Sequence, residues 1–174
     1  MSASSLEHIA EDLISHALQR KNVLVAKPKF DHNGADLLAF LDVSDGAKFC
    51  RIQCKGRSLL QTPKSHIEIA SDYATDGLVV ILFIEDGSPV EESLYCFFGK
   101  EIRLWNKTNN HKYRLSFTKK SHRKKLYPYR FSPKKINEVI KCIIDVNVSG
   151  EFKHMEHGYA EFVLPPISFE GKMS

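Results

Sequence analysis

The sequence has few cysteines and no long hydrophobic run. It contains 174 residues with 4 cysteines and 1 tryptophan. The longest apolar stretch, residues 77–84, has the length of a strand and is far short of the roughly 18 residues that a membrane helix needs. The first residues lack the basic and then apolar order of a secretory signal. We therefore expect a cytoplasmic protein with no membrane segment.

The cysteines have neither the spacing of a disulfide framework nor that of a zinc knuckle. They lie in apolar segments, which predicts reduced core residues at Cys50, Cys54, Cys96 and Cys142. No helix-turn-helix, RNA-recognition or zinc-finger signature is present either, so the sequence gives no sign of base-specific readout.

Positive charge is concentrated in one part of the chain. Residues 100–135 contain 13 basic residues and 1 acidic residue, a net charge of +12. Residues 1–99 carry a net charge of −5 and residues 136–174 a net charge of −3, so the net +4 of the whole chain conceals this block. A block of this kind indicates a polyanionic partner.

The stretch from Gly34 to Gly56 predicts a β-hairpin. Asp45-Gly46 lies between two apolar runs, and Asp-Gly is a strong signal for a tight hairpin turn. We expect one strand over residues 35–44 and a return strand over residues 47–55.

This turn sets the predicted strand register. If Ser44 pairs with Ala47, Asp36 lies opposite Lys55 and diagonal to Gln53. Opposite residues of an antiparallel pair share one face and are about 5 Å apart. A carboxylate, a carboxamide and an ammonium would then meet on an apolar sheet.

Other segments complete the prediction. Helical spacing of apolar residues predicts a first helix from Ser4 or Ser5 to about Lys21, with Asn22 as its stop. A β-branched run predicts a strand buried on both faces at residues 78–84. Further predictions are strands at 23–26 and 159–164, a short helix at 71–75, a basic loop at 119–129 and a helix at 133–144 that Ser132 caps.

The element order and the pattern Asp36…Gln53-x-Lys55 resemble the PD-(D/E)xK nuclease superfamily, and the Gln-x-Lys form is similar to Mrr-type endonucleases. The resemblance implies an α/β fold with a restriction-endonuclease-like core, a mixed central sheet flanked by helices in the order αβββαβ. We expect residues 1–145 to form this domain, including the basic segment, and residues 146–174 to pack on it as a C-terminal extension.

The resemblance also implies the roles of the site residues. Asp36 corresponds to the first metal-binding carboxylate, Gln53 to a position that is often Glu, and Lys55 to the catalytic lysine. Glu11 corresponds to the glutamate that the family often has on its first helix, and the backbone carbonyl of Cys54 to a further metal ligand. The expected cofactor is Mg²⁺ or Mn²⁺, since hydrolysis of a phosphodiester needs a hard cation to activate water.

The basic segment predicts the substrate. Lysine and arginine supply salt-dependent affinity for phosphates, and aromatic side chains can stack on exposed bases. The predicted contacts to nucleic acid are Lys119, Lys120, Arg123, Lys124, Lys125, Tyr127 and Arg130, with Trp105, Tyr113 and Tyr129 as further aromatics. DNA is the expected substrate and RNA an alternative. By analogy with enzymes that cut both strands of a duplex, we expect a homodimer.

Three other interpretations compete with a nuclease. Asp36 and Lys55 alone could form a cross-strand ion pair. Gln53 lowers the charge of the site, which favours a nucleic-acid-binding module that keeps the nuclease fold with weak or no activity. A structural α/β protein whose basic segment docks an acidic protein is the third interpretation.

Overall fold

The computed structural model describes residues 2–29, 34–43, 46–89, 93–145, 150–154 and 160–163. The four α-helices of these residues are α1 (Ala3–Gln19), α2 (Gly99–Ile102), α3 (His122–Leu126) and α4 (Pro133–Ile144). The ten strands are β1 (Leu24–Ala26), β2 (Leu37–Val43), β3 (Gly46–Ser58), β4 (Lys64–Ala70), β5 (Leu78–Glu85), β6 (Leu94–Phe98), β7 (Asn106–Thr108), β8 (Lys112–Thr118), β9 (Gly150–His154) and β10 (Ala160–Val163).

The main sheet contains seven strands, five of which follow the order β1-β2-β3-β5-β6. β3 and β5 are parallel, and the other neighbours are antiparallel, so the sheet is mixed as predicted. β9 also pairs with β3, and β10 pairs with β9. The fold is therefore of the mixed α/β kind.

The two faces of the main sheet are covered differently. Helices α1 and α4 pack on one face, around a buried core that includes Leu6, Ile14 and Val139. A second sheet, with strand order β4-β8-β7, lies on the other face together with α2 and α3. Both faces of β5 are thus enclosed, and Leu78 to Ile84 are all buried, which confirms the prediction from the β-branched run.

The two long helices confirm their predictions closely. α4 spans the predicted residues, and the hydroxyl of Ser132 accepts a hydrogen bond from the N–H of Lys135. α1 is capped by Ser2 instead of Ser4 or Ser5, and it ends at Gln19. Asn22 has a φ of 59°, the left-handed conformation expected of the residue that stops this helix.

Several short elements differ from the prediction. Residues 71–75 do not form an α-helix, because a single 3₁₀ turn spans Ser71–Tyr73, and the connection from β3 to β5 runs through β4. The predicted basic loop at 119–129 contains α3 and a 3₁₀ turn at Tyr127–Tyr129. The predicted strand at 159–164 is present as β10, and Tyr159 and Leu164 lie outside the described residues.

The predicted hairpin register is wrong by two residues. Val43 pairs with Gly46, so residues 44 and 45 connect the strands, and both lie outside the described residues. The tight connection therefore begins one residue earlier than Asp45-Gly46, and Asp36 is not opposite Lys55. Because side chains alternate with a period of two, a slip of two does not exchange the faces of β3, and Ile52 packs on the α1 side.

The cysteines are free thiols as predicted, with three of the four fully buried. No helix in the described residues is long and apolar enough to cross a membrane.

Candidate functional site

The candidate site lies beside β3, where its pairing with β2 ends. The last pair is Leu37 with Ile52. Just beyond it, Oδ2 of Asp36 accepts a hydrogen bond from the backbone N–H of Cys54 at 2.6 Å. A strand N–H points sideways in the plane of its sheet. The carboxylate of Asp36 therefore occupies the place where a neighbouring strand would continue.

A local irregularity positions this carboxylate. The N–H of Asp36 donates to the carbonyl oxygen of Ile52 at 2.9 Å, although Leu37 is the residue paired with Ile52. Asp36 and Leu37 thus both lie opposite Ile52, as in a β-bulge. A bulge turns a side chain away from the face that the regular alternation of the strand would give it. The bulge releases Asp36 from the face it would otherwise share with Gln53.

The surroundings of Asp36 favour a cation. Burial raises the pKa of the Asp36 carboxyl, the N–H of Cys54 and the charge of Lys55 lower it, and the charges of Glu11 and Glu7 raise it further; the net pKa is above the ordinary value. A half-buried carboxylate near two others is destabilised by desolvation and like charge. A bound cation would offset both effects.

Gln53 contributes a buried oxygen. Its Oε1 has no hydrogen-bond partner among the described residues. A Cβ on Gly34, which has a φ of 71°, would lie 3.1 Å from Nε2 of Gln53 and 2.7 Å from the ring of Tyr73. Glycine at position 34 therefore leaves room for the Gln53 side chain. An acceptor buried without a donor costs about 1–3 kcal/mol, a cost that a bound cation would remove.

Glu11 faces the site from α1, but its charge is already paired. Its Oε2 lies 2.5 Å from Nζ of Lys27 and 3.5 Å from Nδ1 of His8. These three residues line an open cleft of about 390 Å³ that also reaches Leu37 of β2. The pKa of Lys27 is raised, chiefly by its hydrogen bond to Glu11.

Lys55 and Arg57 extend the site toward the end of β3. Lys55 is half-buried and acts on Asp36 through its charge. The Nε of Arg57 donates to the carbonyl oxygen of His66 at 2.9 Å, and its Nη1 lies 3.6 Å from Oε1 of Glu7. Arg57 therefore joins α1, β3 and the second sheet.

The predicted ligands of a cation are oxygen atoms. In the described part of the chain, no three His, Cys, Asp or Glu side chains form a cluster that could hold a metal ion. Burial raises the pKa of the Cys54 thiol well above its usual value, which keeps it a neutral thiol. Asp36 contacts the backbone of Cys54, and no described hydrogen bond joins Asp36 to the side chain of Gln53.

The basic segment is built around α3. Lys119, Lys120, Arg123, Lys124 and Lys125 are all exposed, and Arg130 is half-buried. Asp86, which directly follows β5, pairs through Oδ2 with Nε2 of His122 at 2.9 Å and with Nε of Arg123 at 3.1 Å.

The contact with Asp86 places α3 relative to the candidate site. Ser58 at the end of β3 pairs with Glu85 at the end of β5. Helix α3 therefore lies near the end of β3 and β5 at which residues 53–58 are found.

Only one predicted aromatic contact is free to stack on bases. Tyr127 is 71% exposed. Trp105 and Tyr129 pack on Phe97, with ring centroids 5.2 Å and 4.8 Å from it, and Tyr113 packs against the core between the two sheets. The aromatic residues other than Tyr127 therefore stabilise the fold instead of forming a stacking surface.

Two residues of the site have no signal in the sequence. Lys27 follows β1, and no periodicity marks it as the partner of Glu11. Arg57 is part of β3, although the predicted return strand ends at residue 55.

Neither the protein-family models nor the curated proteins contain a match to this chain.

Proposed function

We propose that the protein is a restriction-endonuclease-like enzyme that hydrolyses DNA phosphodiester bonds with Mg²⁺ or Mn²⁺. The observation that carries the proposal is the hydrogen bond from Cys54 to Asp36. It brings the carboxylate to the middle of the segment from Gln53 to Lys55.

Each residue has a distinct role in the proposal. Asp36, Gln53 and the carbonyl oxygen of Cys54 hold the cation, which when bound supplies charge neutralisation and an activated water. Lys55 stabilises the negative charge that builds on the phosphate, or orients the water. Glu11 binds the cation directly or through a water, once its ion pair with Lys27 has broken.

The exposed cations of α3 and its flanks support a nucleic-acid substrate. They supply affinity for the phosphate backbone that does not depend on sequence. A homodimer with one site for each strand is the simplest assembly for cutting a duplex, and we include it in the proposal.

A plasmid cleavage assay with Mg²⁺ or Mn²⁺ tests the proposal. We expect the wild type to cut and Lys55→Ala to lose at least about 100-fold in rate, the lower range for a residue that transfers protons in catalysis. Lys21→Ala, an exposed lysine at the end of α1, is the matched control and should cut like the wild type. Cleavage that survives Lys55→Ala would contradict the assigned site.

A binding module without activity is the second candidate. The ion pair between Glu11 and Lys27 favours it, because it occupies a carboxylate that an enzyme would use. Titration with Mg²⁺ separates the two candidates. The enzyme should bind the ion and lose that binding in Asp36→Ala, whereas the module should bind duplex DNA with no response to Mg²⁺.

A further inference from the structure

The outer face of the second sheet is polar, and no described helix or strand packs on it. Strands β4 and β8 alternate strictly, and the inward residues Ile67, Ile69, Leu115 and Phe117 are buried. The outward positions of the three strands are Lys64, His66, Glu68, Ala70, Lys112, Arg114, Ser116, Thr118, Asn106 and Thr108. Ala70 is the only apolar residue among these described outward positions. The face therefore offers no apolar surface for a partner to cover.

Charge divides this face into two halves. Glu68 is its only acidic residue among the described outward positions, and it pairs with Arg114 at 2.5 Å and with Lys112 at 3.5 Å. The other half contains Lys64, His66 and Ser116, and no carboxylate of the described outward positions neutralises it.

Direct contacts connect this second half to both predicted functional regions. Arg57, two residues after Lys55, donates to the carbonyl oxygen of His66. His66 pairs with Ser116 across β4 and β8. Nζ of Lys125 on α3 donates to the carbonyl oxygen of Ser116 at 2.7 Å. The path from the end of β3 to α3 is therefore continuous across the sheet.

We propose that this half of the face, formed by Arg57, Lys64, His66, Ser116 and Lys125 and named here the phosphate track, binds the backbone of a nucleic-acid duplex. The inference rests on the proposed function, since it assigns to that site a double-stranded substrate that reaches it from α3. Lysine and arginine neutralise phosphates, and hydroxyl groups donate hydrogen bonds to them.

The composition of the track favours a duplex over a single strand. The described outward positions include no Phe, Tyr or Trp, and single-strand binding depends on aromatic side chains that stack on bases. The exposed ring of Tyr127 is not part of the track.

The test measures binding of a 5′-labelled duplex of about 21 base pairs, two turns of B-form DNA, by fluorescence anisotropy across a salt series. Without Mg²⁺, cleavage does not disturb the measurement. We expect Lys64→Ala to reduce the slope of log K against log salt by about 1, the contribution of one phosphate contact. Ser116→Glu, a carboxylate in the middle of the track, should weaken binding by about tenfold or more, the scale of a misplaced like charge. Lys141→Ala on α4, an exposed lysine on the opposite side of the main sheet, should leave the slope unchanged.

The outcomes distinguish the proposed phosphate track from the proposed nuclease activity. If the protein cuts DNA but Lys64→Ala and Ser116→Glu bind like the wild type, the track is overturned and the enzyme stands. If the protein cuts nothing but duplex binding depends on both residues, the enzyme is overturned and the track stands. Tighter binding of a single strand, or of polyglutamate in place of DNA, would overturn the duplex as the partner.

Discussion

Asp86→Asn should destabilise the protein, because it removes the charge that anchors α3. The two ring nitrogens of His122 meet only acceptors. Nδ1 lies 3.0 Å from the carbonyl oxygen of Lys119, and Nε2 lies 2.9 Å from Oδ2 of Asp86. The His122 side chain is only 3% exposed, and the same oxygen of Asp86 also pairs with the guanidinium of Arg123 at 3.1 Å. Asparagine would remove the buried carboxylate charge that both side chains face.

The magnitude follows from the burial of the pair. Removing one partner of a buried ion pair costs about 3–5 kcal/mol, and the amide oxygen of asparagine can still accept one bond, so we expect about 3 kcal/mol. For a chain of this size, 1 kcal/mol corresponds to about 2–4 °C in Tm. Thermal unfolding followed by circular dichroism at about pH 6 should therefore show a Tm lower by about 6–12 °C.

The same pair predicts a pH dependence. Burial alone would raise the pKa of Asp86, but hydrogen bonds from Ser88, His122 and Arg123 hold it well below its usual range. A carboxyl whose pKa is lower in the folded state stabilises the fold above its unfolded pKa, and this stabilisation disappears as the pH falls through the folded pKa. The Tm difference between the wild type and Asp86→Asn should be constant down to about pH 4 and shrink below it.

Asp72→Asn provides the control, since Asp72 is exposed and, among the described residues, its carboxylate accepts a hydrogen bond only from the hydroxyl of its neighbour Ser71, at 3.2 Å. A Tm shift in Asp86→Asn no larger than in this control would refute the anchor. So would a difference that grows as the pH falls below 4, because the carboxylate of the wild type would then be unfavourable to folding.

Three further perturbations test other parts of the structure. Gly56→Ala should lower stability by about 2 kcal/mol or more, since the new Cβ would lie 2.5 Å from the backbone N of Glu7, and an unchanged Tm would contradict this close approach. Lys27→Ala should tighten Mg²⁺ binding, measured by calorimetry, by up to about fivefold, the worth of an exposed ion pair, and weaker binding would show that Glu11 is no ligand. Tyr129→Ala should cost about 2 kcal/mol in chemical denaturation, whereas Tyr127→Ala should cost almost none and should weaken only binding of DNA; equal losses of stability would contradict the different packing of the two rings.

The long periodic elements could be predicted from the sequence because burial determines them locally. The apolar stripe of α1 and the Ser-Pro start of α4 each specify one helix without reference to the rest of the chain. β5 was predictable for the same reason, since a continuous β-branched run is stable only where both faces are buried.

The sequence predicts extended segments at residues 66–70 and 113–117, which lie in β4 and β8, but their pairing into a second sheet and the basic helix could not be predicted in this way. β4 has one buried face and short length, and its partner β8 is distant in sequence, so the pairing of Ile67 with Leu115 is a tertiary effect. α3 has only five residues, too few to form a helix without tertiary contacts, and its bond to Asp86 supplies one of them.

The predicted geometry of the candidate site differs from the observed one. The turn signal of Asp45-Gly46 placed Asp36 opposite Lys55, whereas the observed register and the bulge bring Asp36 to Cys54. A choice between neighbouring turn positions depends on the packing of both strands, and a single dipeptide does not determine it.

The pairing of β9 with β3 has a consequence for folding and for truncation. Lys153 pairs with Gly46 although most of the chain lies between them, so this part of the sheet closes only after the intervening strands have been made. Such long-range pairing slows folding. Removal of the residues after Asp145 would uncover the flank of β3 from Gly46 to Phe49, and an unpaired row of backbone groups is a template for aggregation. β9 would then protect this flank of β3 from pairing with other chains.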